Sequence, residues 1–149
     1  GVENSVTDDP RVNKSKKFDF KNIDFLYNNS YEFENKIIAG TKGWNISEDQ
    51  EDIRLTKREV ARLELSIQDG ISKYGEDKEI IVFMHYPPLT KNYMNTDYTR
   101  LMKKYNIKRC YYGHLHGNSH KDAINGDIGG INFSLISADY LNFKLLKIN

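Results

Sequence analysis

Between Glu79 and His85 the chain reads EIIVFMH, five apolar residues in a row closed by a histidine and then by Tyr86, Pro87 and Pro88. The run is too short for a helix, and no polar residue breaks it as one would in a strand with a wet face. Such a segment reads as a strand buried on both faces, which is the habit of parallel sheets. The two prolines cannot continue a ladder, so a loop follows. Parallel neighbours need a crossover, and this requirement organises the rest of the chain.

Upstream, Val60, Leu63, Ile67 and Ile71 recur at spacings of three and four and form one apolar stripe. Thr56 and Glu59 have the spacing of a capping box. The helix is therefore predicted to start there, or a turn or more earlier, and to stop at Gly75. Downstream, TDYTRLMKKY (residues 96–105) predicts a short helix with Thr96 or Asp97 at its start and basic residues at its end. IKRCYYG then returns as a strand and completes a βαβ unit.

Nearer the start, IDFLY and YEFENKIIAG predict a β-hairpin turning at the intervening NNS. After residue 117, NGD and a pair of glycines divide the remainder into two or three antiparallel strands, near 120–124, at 130–137 and at 142–148. The predicted class is α/β, an α+β sandwich: a mixed sheet with one βαβ unit and C-terminal antiparallel strands, flanked by helices.

A chain of 149 residues suits one domain. Residues 1–18 are polar, carry an Asp-Asp-Pro breaker and read as a flexible lead-in, leaving 19–149 as the folded body. The first residue is Gly1 rather than Met, which reads as something other than the natural start. Lys and Arg (22) nearly balance Asp and Glu (21), which argues against nucleic acid or an anionic membrane as an obligatory partner. No apolar run approaches the roughly 20 residues of a membrane span. The single cysteine, Cys110, excludes an internal disulfide and fits a reducing cytoplasm.

The chemistry lies where the histidines fall. His85 ends one predicted parallel strand, and His114 and His116, in CYYGHLHGNSH, end the next. Ligands of open α/β sheets bind beyond the carboxyl ends of the strands, and neighbouring strands are only about 4.8 Å apart. A lone histidine at a strand end is ordinarily a satisfied, half-buried polar residue. Three that converge on one predicted edge, with Gly113 and Gly117 allowing tight turns, make a metal site the stronger reading. His120 gains no such support and reads as an exposed loop residue. Trp44 reads as an anchor beneath its glycine loop, with a substrate rim as the second reading. Asp139 reads as a turn residue, or else as a partner that fixes a histidine tautomer.

The blocks IIVFMHYPP and YYGHLHG resemble the last two signature blocks of the calcineurin-like metallophosphoesterase superfamily. IIAGTKGWN and REVARLELSI are similar to a bacterial branch of it, and the resemblance runs from about residue 23 to the carboxyl terminus. It implies a double β-sheet flanked by helices and built from two related halves. It also implies a dinuclear centre in which His85 and His114 bind one divalent ion and His116 the other, hydrolysing a phosphomonoester or phosphodiester. Imidazole donors leave Mn, Fe, Zn and Ni all open.

The superfamily's earlier blocks, Asp-x-His, Gly-Asp-x-x-Asp and Gly-Asn-His-Asp/Glu, have no counterpart here, and no histidine precedes His85. No catalytic residue is therefore identifiable in this chain. The expectation is the carboxyl-terminal half of a longer enzyme, inactive alone. A bared sheet edge would make it dimerise, swap strands or associate with the missing amino-terminal half. The alternative is a non-catalytic metal-binding or interaction domain that keeps a relic of the site.

Overall fold

The computed structural model describes residues 24–94 and 96–149. The predicted lead-in at 1–18 lies outside them. Strand β3 (Glu79–Met84) sits inside a six-stranded mixed sheet of order β1-β2-β3-β4-β6-β5. It pairs in parallel with β2 (Lys36–Thr41) on one side and β4 (Arg109–Tyr112) on the other. β6 (Ile131–Leu135) extends the parallel block beyond β4. β1 (Ser30–Phe33) and β5 (Gly126–Ile128) close the two edges as antiparallel partners of β2 and β6. The chain is thus α/β with a mixed sheet, as predicted, but its parallel block is larger than the single βαβ unit expected.

Two helices make the first crossovers. α1 (Gln50–Tyr74) joins β2 to β3, and α2 (Thr96–Lys104) joins β3 to β4. The stripe of Val60, Leu63, Ile67 and Ile71 lies on α1, and Leu63 and Ile67 are fully buried. The helix begins at Asp49, whose side chain accepts from the N–H groups of Glu51 (3.0 Å) and Asp52 (3.2 Å). Gly75 ends it with φ of 97°. Thr56 and Glu59 therefore do not cap; they lie inside the helix, and both are buried. Glu59 accepts a 2.6 Å bond from the Thr41 hydroxyl and meets Arg58 at 3.0 Å and Arg62 at 2.9 Å. A capping-box spacing has here been used to tie the helix to the end of β2.

Gly70 explains the close fit of α1 on the sheet. A Cβ there would stand 2.4 Å from Ile37 Cγ2. Glycine in mid-helix costs roughly 0.5–1 kcal/mol, and the contact with β2 replaces that loss. One face of the sheet, with Ile37, Ala39, Val82, Cys110, Tyr112 and Phe133, shares its core with Leu63 and Ile67 of α1 and Tyr98 and Met102 of α2. Cys110 is a free, buried thiol. The opposite face carries Ile38, Phe83 and Tyr111, all half-buried, with the Phe83 and Tyr111 rings stacked at 5.3 Å.

Three local predictions are corrected. The amino-terminal hairpin turns at Glu34-Asn35, with φ of 48° and 65°, and not at NNS. YEFENKIIAG is therefore both strands of the hairpin, and residues 24–27 are not a strand. The strand predicted near 120–124 is instead covered in large part by a 3₁₀ helix (Gly117–Asp122). Residues 142–148 form no strand: a run of turns at 138–143 includes Asn142 and Phe143 with φ of 52° and 58°. Alternation of apolar and polar residues was present there, but Leu145 and Phe143 are exposed, so nothing rewards a ladder. Among the described residues no helix is long and apolar enough to cross a membrane.

Candidate functional site

The carboxyl ends of β2, β3, β4 and β6 form one continuous rim. In each pair the backbone bonding runs a step past the last strand residue. Tyr86 N–H donates to Lys42 O at 2.9 Å, Gly113 N–H to His85 O at 3.1 Å, and Ile136 N–H to Tyr112 O at 2.8 Å. His85 and Gly113 are thereby fixed side by side. At the end of β4 the chain then turns sharply: His114 has φ of 69°, and Leu115 N–H bonds back to Gly113 O at 2.8 Å. A left-handed conformation costs a non-glycine residue about 1–2 kcal/mol. Leu115 is buried while the flanking His114 and His116 are exposed, so the turn plugs one side chain into the core and presents two imidazoles.

His114 Nδ1 lies 3.2 Å from His85 Nε2. Both rings flank Tyr86, whose centroid is 4.2 Å from that of His114 and 4.9 Å from that of His85. Desolvation first, then the charges of His114, Lys42 and His116, hold His85 below the ordinary histidine pKa. Desolvation and then His116 lower His114 in the same way. Both imidazoles are therefore neutral at neutral pH, the form that binds metal.

His116 is held differently. Its Nδ1 is 2.8 Å from Asp139 Oδ1, and Gly117 N–H donates to Asp139 Oδ2 at 2.8 Å. The Gly117 N–H above all, and then the side chains of His116 and His120, keep the Asp139 carboxyl far below its usual range. An ionised carboxylate can only accept, so the proton between Asp139 and His116 sits on Nδ1. In the neutral tautomer with that proton on Nδ1, Nε2 carries the lone pair, the arrangement that carboxylates impose on metal-ligating histidines.

Asp139 lies in the turn at 138–143 and also fixes a histidine, so the two sequence readings hold together. His120 is half-buried rather than an exposed loop residue. Its Nε2 is 3.2 Å from Asp139 Oδ1, and its ring packs edge-on against Tyr140. Trp44 is an anchor: Nε1–H donates to Asp52 Oδ1 at 2.9 Å.

How far these residues fit a metal can be judged from distances. Two nitrogens on one tetrahedral ion, each about 2.05 Å from it, stand about 3.3 Å apart; the His85–His114 separation of 3.2 Å is close to that. These two donors are paired and His116 is pre-oriented nearby. Yet among the described residues no group of three or more His, Cys, Asp or Glu is gathered around one metal position. Asp139 does not bridge, because its oxygens already serve His116, Gly117 and the Tyr140 N–H. The donor set fits part of a centre.

No family model matches this chain, and no curated protein or solved structure matches it significantly.

Proposed function

We propose that this chain carries the histidine-bearing half of a dinuclear, metal-dependent phosphoesterase centre, within a sheet that forms half of a metallophosphoesterase-type double sheet. The observation that carries the reading is the pair of imidazole nitrogens 3.2 Å apart at the carboxyl ends of adjacent parallel strands. His85 and His114 hold one divalent ion (Mn, Fe, Zn or Ni), and His116, set by Asp139, offers Nε2 to a second. The chemistry such ions supply when bound is polarisation of the phosphoryl group and activation of water. The half-buried sheet face with Ile38, Phe83 and Tyr111 supports a covering partner, a second half-sheet or a second copy of the chain.

The shortage of free carboxylates favours one competing reading, a metal-binding domain without catalysis. Metal analysis of the purified chain after loading with Mn²⁺ or Zn²⁺ tests the site. The expected result is bound metal that is lost in His85→Ala and His114→Ala; unchanged metal content sinks the proposal. Hydrolysis of bis(p-nitrophenyl) phosphate by the product of the complete reading frame, abolished by His114→Ala, separates an enzyme from a relic.

A further inference from the structure

Lys42 stands on the same rim, and no carboxylate among the described residues pairs with its charge. It directly follows β2, and its carbonyl accepts the Tyr86 N–H at 2.9 Å, so the residue is locked beside His85. The next residue, Gly43, has φ of 72°, and a Cβ there would meet Met84 Cε at 3.0 Å and Tyr86 Cβ at 3.3 Å. The loop thus lies flush against the histidine-bearing segment. The Lys42 ammonium is 4.8 Å from the centre of the Trp44 ring and 6.0 Å from that of Tyr86. Trp44 is itself pinned by Asp52, and Tyr86 abuts both His85 and His114.

The neighbouring cations Arg58 and Arg62 are both turned toward one carboxylate, that of Glu59. Aromatic faces steady an ammonium without cancelling its charge. The cleft of about 480 Å³ beside it is lined by Thr41, Lys42, Met84 and His85 together with Leu26, Phe83 and Ile136. No carboxylate is among those residues, so an anion entering it meets a full positive charge and no opposing one.

We infer that Lys42 is a substrate-binding residue whose ammonium takes the non-bridging oxygens of a phosphoryl group presented to His85 and His114, and that the preferred substrate is a phosphomonoester. A monoester carries about −1.5 to −2 charges at neutral pH, against one for a diester, and a fixed ammonium rewards the larger charge. The inference rests on the phosphoesterase reading for the reaction, but not for the anion.

The test is a ³¹P NMR titration of the metal-free chain with inorganic phosphate, comparing wild type, Lys42→Met and Lys42→Arg, with circular dichroism to verify folding. Expected is weak, salt-sensitive binding that falls about tenfold or more in Lys42→Met and is largely kept in Lys42→Arg. Equal binding by Lys42→Met, or none by wild type, overturns the assignment of Lys42 and leaves the histidine site untouched. Lys42-dependent phosphate binding in a chain that takes up no metal would instead remove the phosphoesterase reading and keep the anion site. In the complete protein, Lys42→Met should raise KM for p-nitrophenyl phosphate more than for its bis-ester; an equal rise for both overturns the monoester preference.

Discussion

The core beneath the helices and the rim above the strands are built on opposite terms. In the core, Ile37, Val82, Cys110, Phe133, Leu63 and Ile67 have no exposed surface, and each is constrained by many neighbours at once. On the rim, His85, His114 and His116 are exposed, and a few polar contacts and backbone bonds set their positions. The difference teaches where stability and function part company. Core side chains hold the sheet, and the sheet places the rim, so the rim's side chains contribute little to stability and are free to serve chemistry.

The largest effect that can test this division is Phe133→Ala. Emptying a fully buried site should cost about 3–5 kcal/mol of unfolding free energy, read by urea denaturation, while metal affinity per folded molecule stays the same. A loss of affinity in the folded mutant would mean that core and rim are coupled. Asp139→Asn should do the reverse. Releasing His116 should weaken metal binding about 10–100-fold in chelator competition, with the urea midpoint moved far less than in Phe133→Ala. Should stability collapse and affinity hold, Asp139 is scaffold and not a positioning residue.

Phe83→Ala probes the face that the helices leave uncovered. Half-burial predicts a cost of about 1 kcal/mol, well below that of Phe133. A cost equal to Phe133's would show that a second copy already covers this face in solution, which size-exclusion chromatography would register as a dimer.

The smallest effect is that of pH. His85 and His114 are held below the ordinary histidine pKa, so below about pH 6.5 the unfolded chain takes up protons that the folded pair resists. Stability is therefore level above that pH and declines slightly as the pH falls below it. Replacing both histidines should flatten the decline; an unchanged curve would assign it to other groups.

The sequence made the core legible and left much of the rim dark, for physical reasons. Burial writes itself as periodicity, so the α1 stripe and the run at 80–84 were readable, as was the meeting of His85 with His114 once parallel pairing was inferred. β3 also shows the limit of that reading. Its helix-facing residues Ile80, Val82 and Met84 are buried, as is Ile81 opposite, but Phe83 is only half-buried. Polar signals were the ambiguous ones. Thr56 and Glu59 have cap spacing but lie inside the helix, where Glu59 bonds to β2, ENK turns where NNS was expected, and His120 joins Asp139 across a distance in sequence that no local pattern encodes. Lys42 is visible as a residue, yet only its register beside His85 gives it a role.

The bonds that carry the ladder past the strand ends, at Tyr86, Gly113 and Ile136, have a consequence for time as well as for place. Their amide hydrogens are tied into the sheet's own ladder, so they should outlast the amides of the 3₁₀ helix in deuterium. A rim mounted this way should not mould itself around what arrives. It should select by fit to a geometry already present, and association should follow simple one-step kinetics with no slow closing phase.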